Sequence, residues 1–217
     1  MGTVTDKFAD LTEVLRAEYV RDSGTPRPAL GGQILIEKLL RPLLPAAIRV
    51  GPGTVVDVKD REVGLFDAVG CAEAWPPIGT GSATTYLLDG VAFVVQARDW
   101  ASSDLTQFGE LAQQLKGLGR STARPLWCGA VSFNDVALAE IRDFLASPAG
   151  SALDGMISLG SHVVIRNTRG TYGDPATVPF VTERGSGESL KSFAFALVHA
   201  AQSFLGIPFG LSGYQHL

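Results

Sequence analysis

An α/β domain, with a mixed central β-sheet flanked by helices, is what this sequence predicts, and three observations predict it. Two amphipathic helical stretches open the chain, β-branched runs flanked by glycine follow, and helical and apolar segments then alternate. No internal repeat is visible, and the 217 residues suffice for one domain with a sizeable core. The chain is read as a single domain over 1–217. It has a helical N-terminal part over about 6–44, a sheet core over about 48–165 and a closing helix over about 190–205.

Each element has its own signal. Phe8, Leu11, Leu15 and Tyr19 recur at helical spacing over 6–21, with charges between them. Ser23-Gly24-Thr25-Pro26-Arg27-Pro28 breaks that helix. A second helix over 31–44 carries Ile34, Leu35, Leu39, Leu40 and Leu43 as its apolar stripe. Pro42 is expected to interrupt it, and Leu44-Pro45 marks its exit. The runs 48–51 and 54–58 are β-branched strands set off by glycine, and 63–69 is a third strand after the charged turn 59–62. Pro76, Pro77, Gly79 and Gly81 make 73–82 a loop, and a short apolar segment follows at 86–88. The nearly continuous apolar run from Val91 to Ala97 predicts a central strand buried on both faces.

Ser102-Ser103-Asp104 is read as the cap of a helix over 104–118, with Leu105, Phe108, Leu111, Leu115 and Leu118 on one face. Residues 125–131 form another buried strand, 135–145 a helix, and 156–159 with 162–165 a hairpin. The polar, glycine-rich stretch 167–187 is expected as a long exposed loop. The last helix turns Phe193, Leu197, Ala200, Ala201 and Phe204 inward.

Composition bounds the function classes. Apolar residues make up 46% and charged residues 18% of the chain, as in a soluble globular protein. No run approaches the roughly 18 apolar residues of a membrane helix. The first residues lack a secretory pattern, so a cytoplasmic location and no membrane partner are expected. The formal net charge of −4 argues against strong non-specific binding of nucleic acid, which needs clustered cations. Two local basic groupings remain: Arg16, Arg21 and Arg27, and Lys116, Arg120 and Arg124. Cys71 and Cys128 have no zinc or disulfide spacing and are expected to be small buried residues.

Three polar features stand out on the predicted elements. Gln96-Ala97-Arg98 ends the apolar strand, Asp67 sits on the apolar run before it, and Glu37 lies in the second helix. The two-residue period of a strand returns Gln96 and Arg98 to one face. Around them stand Gly32 in the helix, Leu44-Pro45 at its end, and Val50-Gly51-Pro52-Gly53-Thr54-Val55-Val56-Asp57 after it. Phe66-Asp67, Asp104-Leu105, and Ile207-Pro208 with Tyr214 complete the series. In that order and spacing, over roughly 8–214, the chain resembles a bacterial family of unknown function. That family lies within the PD-(D/E)XK, or restriction-endonuclease-like, nuclease superfamily.

The resemblance implies a restriction-endonuclease-like core and a catalytic constellation of Glu37, Asp67, Gln96 and Arg98. It implies Mg as cofactor, with Asp67, Gln96 and the Ala97 carbonyl as ligands. Hydrolysis of a phosphodiester in this way uses a divalent cation to polarise the phosphoryl group and supply hydroxide. Such an ion takes oxygen ligands, partly from one or two carboxylates. The superfamily carries Glu-x-Lys at the end of this strand, and this chain departs from it at both positions. Gln96 offers an amide oxygen without charge, and Arg98 is a permanent cation that cannot take a proton.

Three readings follow. The first is a nuclease-like domain with a decayed metal site, binding nucleic acid or a protein partner in a defence or DNA-processing context. The second is an active Mg-dependent DNA nuclease in which Glu37 replaces the lost carboxylate. The third is a non-catalytic interaction protein. Trp75 and Trp100 are expected in the core, with a place at the mouth of a cleft as the alternative. His162, His199 and His216 have no ligand spacing.

Overall fold

The computed structural model describes residues 3–22, 30–79, 84–121, 124–167 and 174–207. Their element order is α1 (Val4–Asp22), α2 (Leu30–Leu35) running on through a π-helical stretch (Ile36–Leu40) into α3 (Arg41–Leu43), then β1 (Ile48–Val56), β2 (Glu62–Ala72), β3 (Thr85–Leu87) and β4 (Val91–Arg98). After these come α4 (Ser102–Gly117), β5 (Trp127–Ser132), α5 (Leu138–Ala146), β6 (Gly155–Ser158), β7 (His162–Arg166), β8 (Phe180–Arg184) and α6 (Ser186–Leu205). The strands form one mixed eight-stranded sheet in the order β3-β1-β2-β4-β5-β6-β7-β8. This is the α/β architecture the sequence predicts.

The sheet has a core on each face. Phe93, Val95 and Ala97 join Leu15, Leu35, Leu39, Phe193 and Phe204 on the side covered by α1, α2 and α6. Val94 joins Val69, Leu105, Phe108, Cys128 and Ile141 on the side covered by α4 and α5. The unbroken apolar run of β4 follows from this sandwiching, since each alternate side chain finds a hydrophobic partner. Both cysteines are buried. Burial holds the Cys71 thiol up to about 11 and the Cys128 thiol up to about 12. No helix among the described residues is long and apolar enough to cross a membrane.

Several boundaries differ from the sequence reading, each for a local reason. Pro42 does not interrupt the second helix before its exit. The turn ahead of it widens instead, and Arg41 N–H bonds to Ile36 O, five residues back. A proline lacks the N–H for the normal bond and its ring crowds the carbonyl of the preceding turn, so a π turn lets the chain continue to Leu43. The two runs 48–51 and 54–58 are one strand, β1, bent by register shifts between Gly51 and Gly53 and between Gly53 and Val55. Asp57 ends that strand at a tight turn, accepting from Lys59 N–H at 2.8 Å and Arg61 N–H at 3.0 Å. Arg61 closes the turn with two side-chain donors to the same carboxylate.

The stretch 167–187 is only partly a loop. Phe180–Arg184 pairs antiparallel with β7 as the sheet's edge, and it is half-buried, so no apolar alternation announces it. The last helix starts at Ser186, after Gly185 at φ 90°. Gly187 then allows close contact with α1, since a Cβ there would stand 2.3 Å from the Thr5 carbonyl oxygen. Helix α4 begins at Ser102 with Ala101 as its N-cap and no side-chain cap, so Ser103 and Asp104 lie in its first turn. Helix α5 begins at Leu138, not Asp135. The predicted break 23–28, the tail with Pro208 and Tyr214, and His216 lie outside the described residues, as does part of the 73–82 loop.

Helix α2 lies against the sheet at two glycines. A Cβ on Gly31 would stand 2.4 Å from the Ala97 carbonyl oxygen, and one on Gly32 would stand 2.5 Å from Asp67 Cβ. Backbone cannot give way as a flexible side chain can. Gly32→Ala is therefore expected to destabilise by about 1–3 kcal/mol, lowering the melting temperature by roughly 2–4 °C per kcal/mol in a chain of this size. Gly117→Ala, at a helical site with nothing within 4 Å, is expected to leave it unchanged or raise it. Thermal melts of both variants check the contrast, and equal behaviour would show that α2 does not press on the sheet.

Candidate functional site

The candidate site forms where two central strands part. Strands β2 and β4 pair antiparallel through Gly70↔Phe93, Val69↔Val94 and Ala68↔Val95, and the ladder stops there. One more step would set Asp67 opposite Gln96. On its other side β2 is bulged, with Gly51↔Val69 followed by Gly53↔Phe66, three residues of β2 against two of β1. A bulge kinks a strand and re-aims its side chains, and the fork opens at Asp67.

Side chains take over the ladder at the fork. Ala97 N–H donates to Asp67 Oδ2 at 2.8 Å, and Asp67 N–H donates to Gln96 Oε1 at a longer 3.4 Å. Both side chains are buried, Asp67 at 8% and Gln96 at 4% exposure. Burial pushes the Asp67 carboxyl up from its ordinary value, against the pull of the Ala97 N–H, the Arg98 charge and Gln96. Asp67, Gln96 and Ala97, three of the predicted residues, thus stand together.

Arg98 stands at the rim. It is half-buried, near enough to favour the Asp67 carboxylate, and its guanidinium carbon lies 5.1 Å from the centre of the Trp100 ring. That cation–π contact holds the head in place and leaves its hydrogen-bonding fork for an anion. Glu37 is not brought in. It is exposed on the π-helical stretch and accepts from Gln33 Nε2 at 3.3 Å, and no hydrogen bond or ion pair among the described residues joins it to Asp67.

The tryptophans separate. Trp100 is core, 6% exposed, with its indole N–H donating to Val131 O at 2.9 Å. Trp75 lies at the other end of β4, beside Gly90, so it does not line the fork. Residues that sequence reasoning missed shape the rim. Asn134 accepts from Trp100 N–H at 3.1 Å and donates back to the Trp100 carbonyl at 3.3 Å, tying the end of β4 to the end of β5. Tyr19 of α1 stacks on Phe133, with ring centres 4.0 Å apart. Burial and the neighbouring Asp99 hold its hydroxyl above the ordinary value. An aromatic on each side of a long sequence gap carries no signal that the two will stack.

The residues do not fit a divalent cation well. One carboxylate, already committed to an N–H, faces one arginine, so the formal charge of the pair is zero. The Gln96 oxygen points at the Asp67 N–H, and the Gly31 backbone crowds the Ala97 carbonyl. Affinity for hard cations follows the charge and number of oxygen ligands. Among the described residues no cluster of three or more His, Cys, Asp or Glu side chains is suited to a metal.

No protein-family model matches the chain, and neither does any curated protein sequence. Solved structures do. NucC from P. aeruginosa ATCC27853 in its cAAA-bound form superposes with a TM-score of 0.77 at 14% identity, over 100% of this chain and 98% of that one. NucC from E. coli MS115-1 in its cAAA-bound form gives 0.76 at 18% identity, over 100% and 97%. The apo form of the same E. coli protein gives 0.70 at 16%, over 93% and 92%. At these identities the likeness is one of fold, and it extends along the whole chain. The restriction-endonuclease-like fold that the sequence resembles is the fold this chain adopts.

Asp67→Asn keeps an oxygen for the Ala97 N–H and removes a charge that burial disfavours. The unfolded carboxyl titrates at its ordinary value and the folded one higher, so the wild type loses stability as pH rises from the first to the second. The variant is therefore expected to melt above the wild type near pH 7, and the gap is expected to close below about pH 4. Melts across that range check it, and a gap that does not change with pH would contradict the buried charge as its cause.

Proposed function

We propose that this chain is a nuclease-like domain of a bacterial defence or DNA-processing system. In our reading its metal site has decayed, and its fork binds nucleic acid through the phosphate backbone with little or no cutting. The observation that carries the reading is Gln96. By the sequence resemblance it stands for the superfamily's carboxylate, and its side chain is buried beside Asp67, with its amide oxygen accepting from the Asp67 N–H. Asp67, Gln96 and Ala97 stand together at the fork, with one carboxylate where the metal site implied by the resemblance would have two.

The chemistry left to the residues is recognition. Arg98 can hold a phosphate oxygen pair with its planar fork, but it cannot accept a proton from water at neutral pH. Asp67 would have to give up the Ala97 N–H, or share it, to serve a cation. When bound, a divalent ion would supply the polarisation and hydroxide that these side chains lack. The likeness of fold to NucC, which is known in cAAA-bound and apo forms, supports a nuclease ancestry and a defence setting. The same likeness makes cAAA the first signal to test as an activator.

A second reading keeps the activity. Glu37 is exposed and among the described residues is held by a 3.3 Å hydrogen bond from Gln33 alone, so its carboxylate could reorient and add the missing charge once a cation is present.

The double substitution Gln96→Glu with Arg98→Lys separates the two readings. Plasmid and linear DNA are incubated with Mg or Mn, with and without cAAA. The double variant is expected to cut at least about 10²-fold faster than the native chain. Without metal it is expected to melt below the native chain, because two buried carboxylates then repel. If the native chain already cuts and Asp67→Ala or Glu37→Gln abolishes the cutting, the active reading replaces the decayed one.

A further inference from the structure

A second cationic feature lies away from the fork. A cleft of about 490 Å³ opens between the end of α4 and the segment that leads into β5. Leu115, Lys116, Arg120, Arg124, Leu126 and Asp154 line it, together with Pro125. Three cations there face one carboxylate. Asp154 is already spent, since its Oδ2 accepts from both Lys116 Nζ and Cys128 N–H at 2.8 Å. A second carboxylate, Asp89, acts on Arg120 from beside the cleft, so one positive charge remains uncompensated in a recess, where field lines concentrate.

The three cations differ in what they are free to do. Arg120 is a clasp. Its Nη2 donates to the Leu88 and Val91 carbonyls and its Nη1 to the Arg124 carbonyl, so it fixes the cleft floor to the first residue of β4. Lys116 keeps two of its three donors beyond the bond to Asp154. Arg124 is exposed, and its guanidinium carbon lies 4.9 Å from the centre of the buried Phe204 ring. Among the described residues no carboxylate or carbonyl accepts from its fork. That aromatic platform orients the guanidinium while leaving its donors to a ligand. Leu115, Pro125 and Leu126 give the same recess an apolar wall.

We propose that this cleft binds a phosphoryl group borne on a small apolar or aromatic body. Arg124 and Lys116 hold the phosphoryl oxygens, and Leu115, Pro125 and Leu126 cover the body. The site is distinct from the fork. Arg120 grips the start of β4 and Gln96 lies five residues along it, roughly 16 Å at the rise of a strand.

Calorimetric titration of the purified chain with phenyl phosphate and with inorganic phosphate, each against sodium chloride of equal ionic strength, tests the proposal. Phenyl phosphate is expected to bind at least tenfold more tightly than inorganic phosphate. Arg124→Ala is expected to weaken it at least tenfold and Arg124→Lys to retain part of the affinity. Lys7→Ala, an exposed cation on α1 across the sheet from α4, is expected to leave it unchanged. Equal affinity for the two phosphates would overturn the role of the apolar wall. Unchanged binding in Arg124→Ala, an equal loss in Lys7→Ala, or an equal response to sodium chloride would overturn the site. Because the readout is binding at Arg124 and not cleavage at the fork, its failure leaves the reading of Gln96 untouched.

Discussion

Two backbone N–H groups lose their ladder partners where β2 and β4 part, and everything about the site depends on how they are satisfied. An unpaired N–H inside a sheet costs about 1–3 kcal/mol, so a fork in a buried region requires substitute acceptors. The Asp67 carboxylate serves Ala97 and the Gln96 amide serves Asp67. The fork is thereby stable without any ligand. The price is that the atoms a ligand would need are the same atoms that complete the sheet. Structure and chemistry compete for one carboxylate oxygen.

Helix α2 makes that competition tighter. Gly31 and Gly32 bring its backbone onto the Ala97 carbonyl and the Asp67 Cβ, closer than any side chain would permit. The π-helical stretch that follows sets the remaining turns toward α3 and leaves Glu37 on the outside. On the far side of the fork, Asn134 and the Tyr19–Phe133 stack anchor the ends of β4 and β5. The rim is thus held by packing on three sides, with the half-buried Arg98 and the exposed Asp99 at its edge.

The fold was legible because its signals are local. The apolar run of β4 announced a strand with a core on each face, and helical spacing in α1 and α6 announced the layers that cover it. What the sequence hid was non-local or compensated. Strand β8 is half-exposed and short, so its side chains carry no alternation. The π turn before Pro42 arises from a conflict between a good apolar stripe and a residue without an N–H, and the stripe prevails because Leu39 and Leu40 are buried. At the site, Asp67, Gln96 and Ala97 were readable because the antiparallel register of two adjacent strands sets them side by side. Glu37 was not, because its direction depends on how a helix is wound. Asn134 and Tyr19 act through contacts across long gaps in the chain, which no spacing rule records.

Glutamine at position 96 makes physical sense under the proposed function. A glutamate there would accept the same N–H, but it would place a second negative charge in a nearly dry fork beside a carboxylate whose proton affinity burial already raises. With a cation bound, that repulsion becomes attraction; without one, it is a standing penalty. Glutamine keeps the acceptor, the length and the packing, and removes the charge. A chain that no longer needed the cation would gain stability from this exchange while losing nothing of its fold. Arginine at position 98 follows the same logic. It keeps a positive head for phosphate and trades a group able to move protons for one that binds anions with two parallel donors. Under the proposed function, the two residues would turn the fork from catalysis toward recognition, Gln96 by removing a charge and Arg98 by removing a group able to carry a proton.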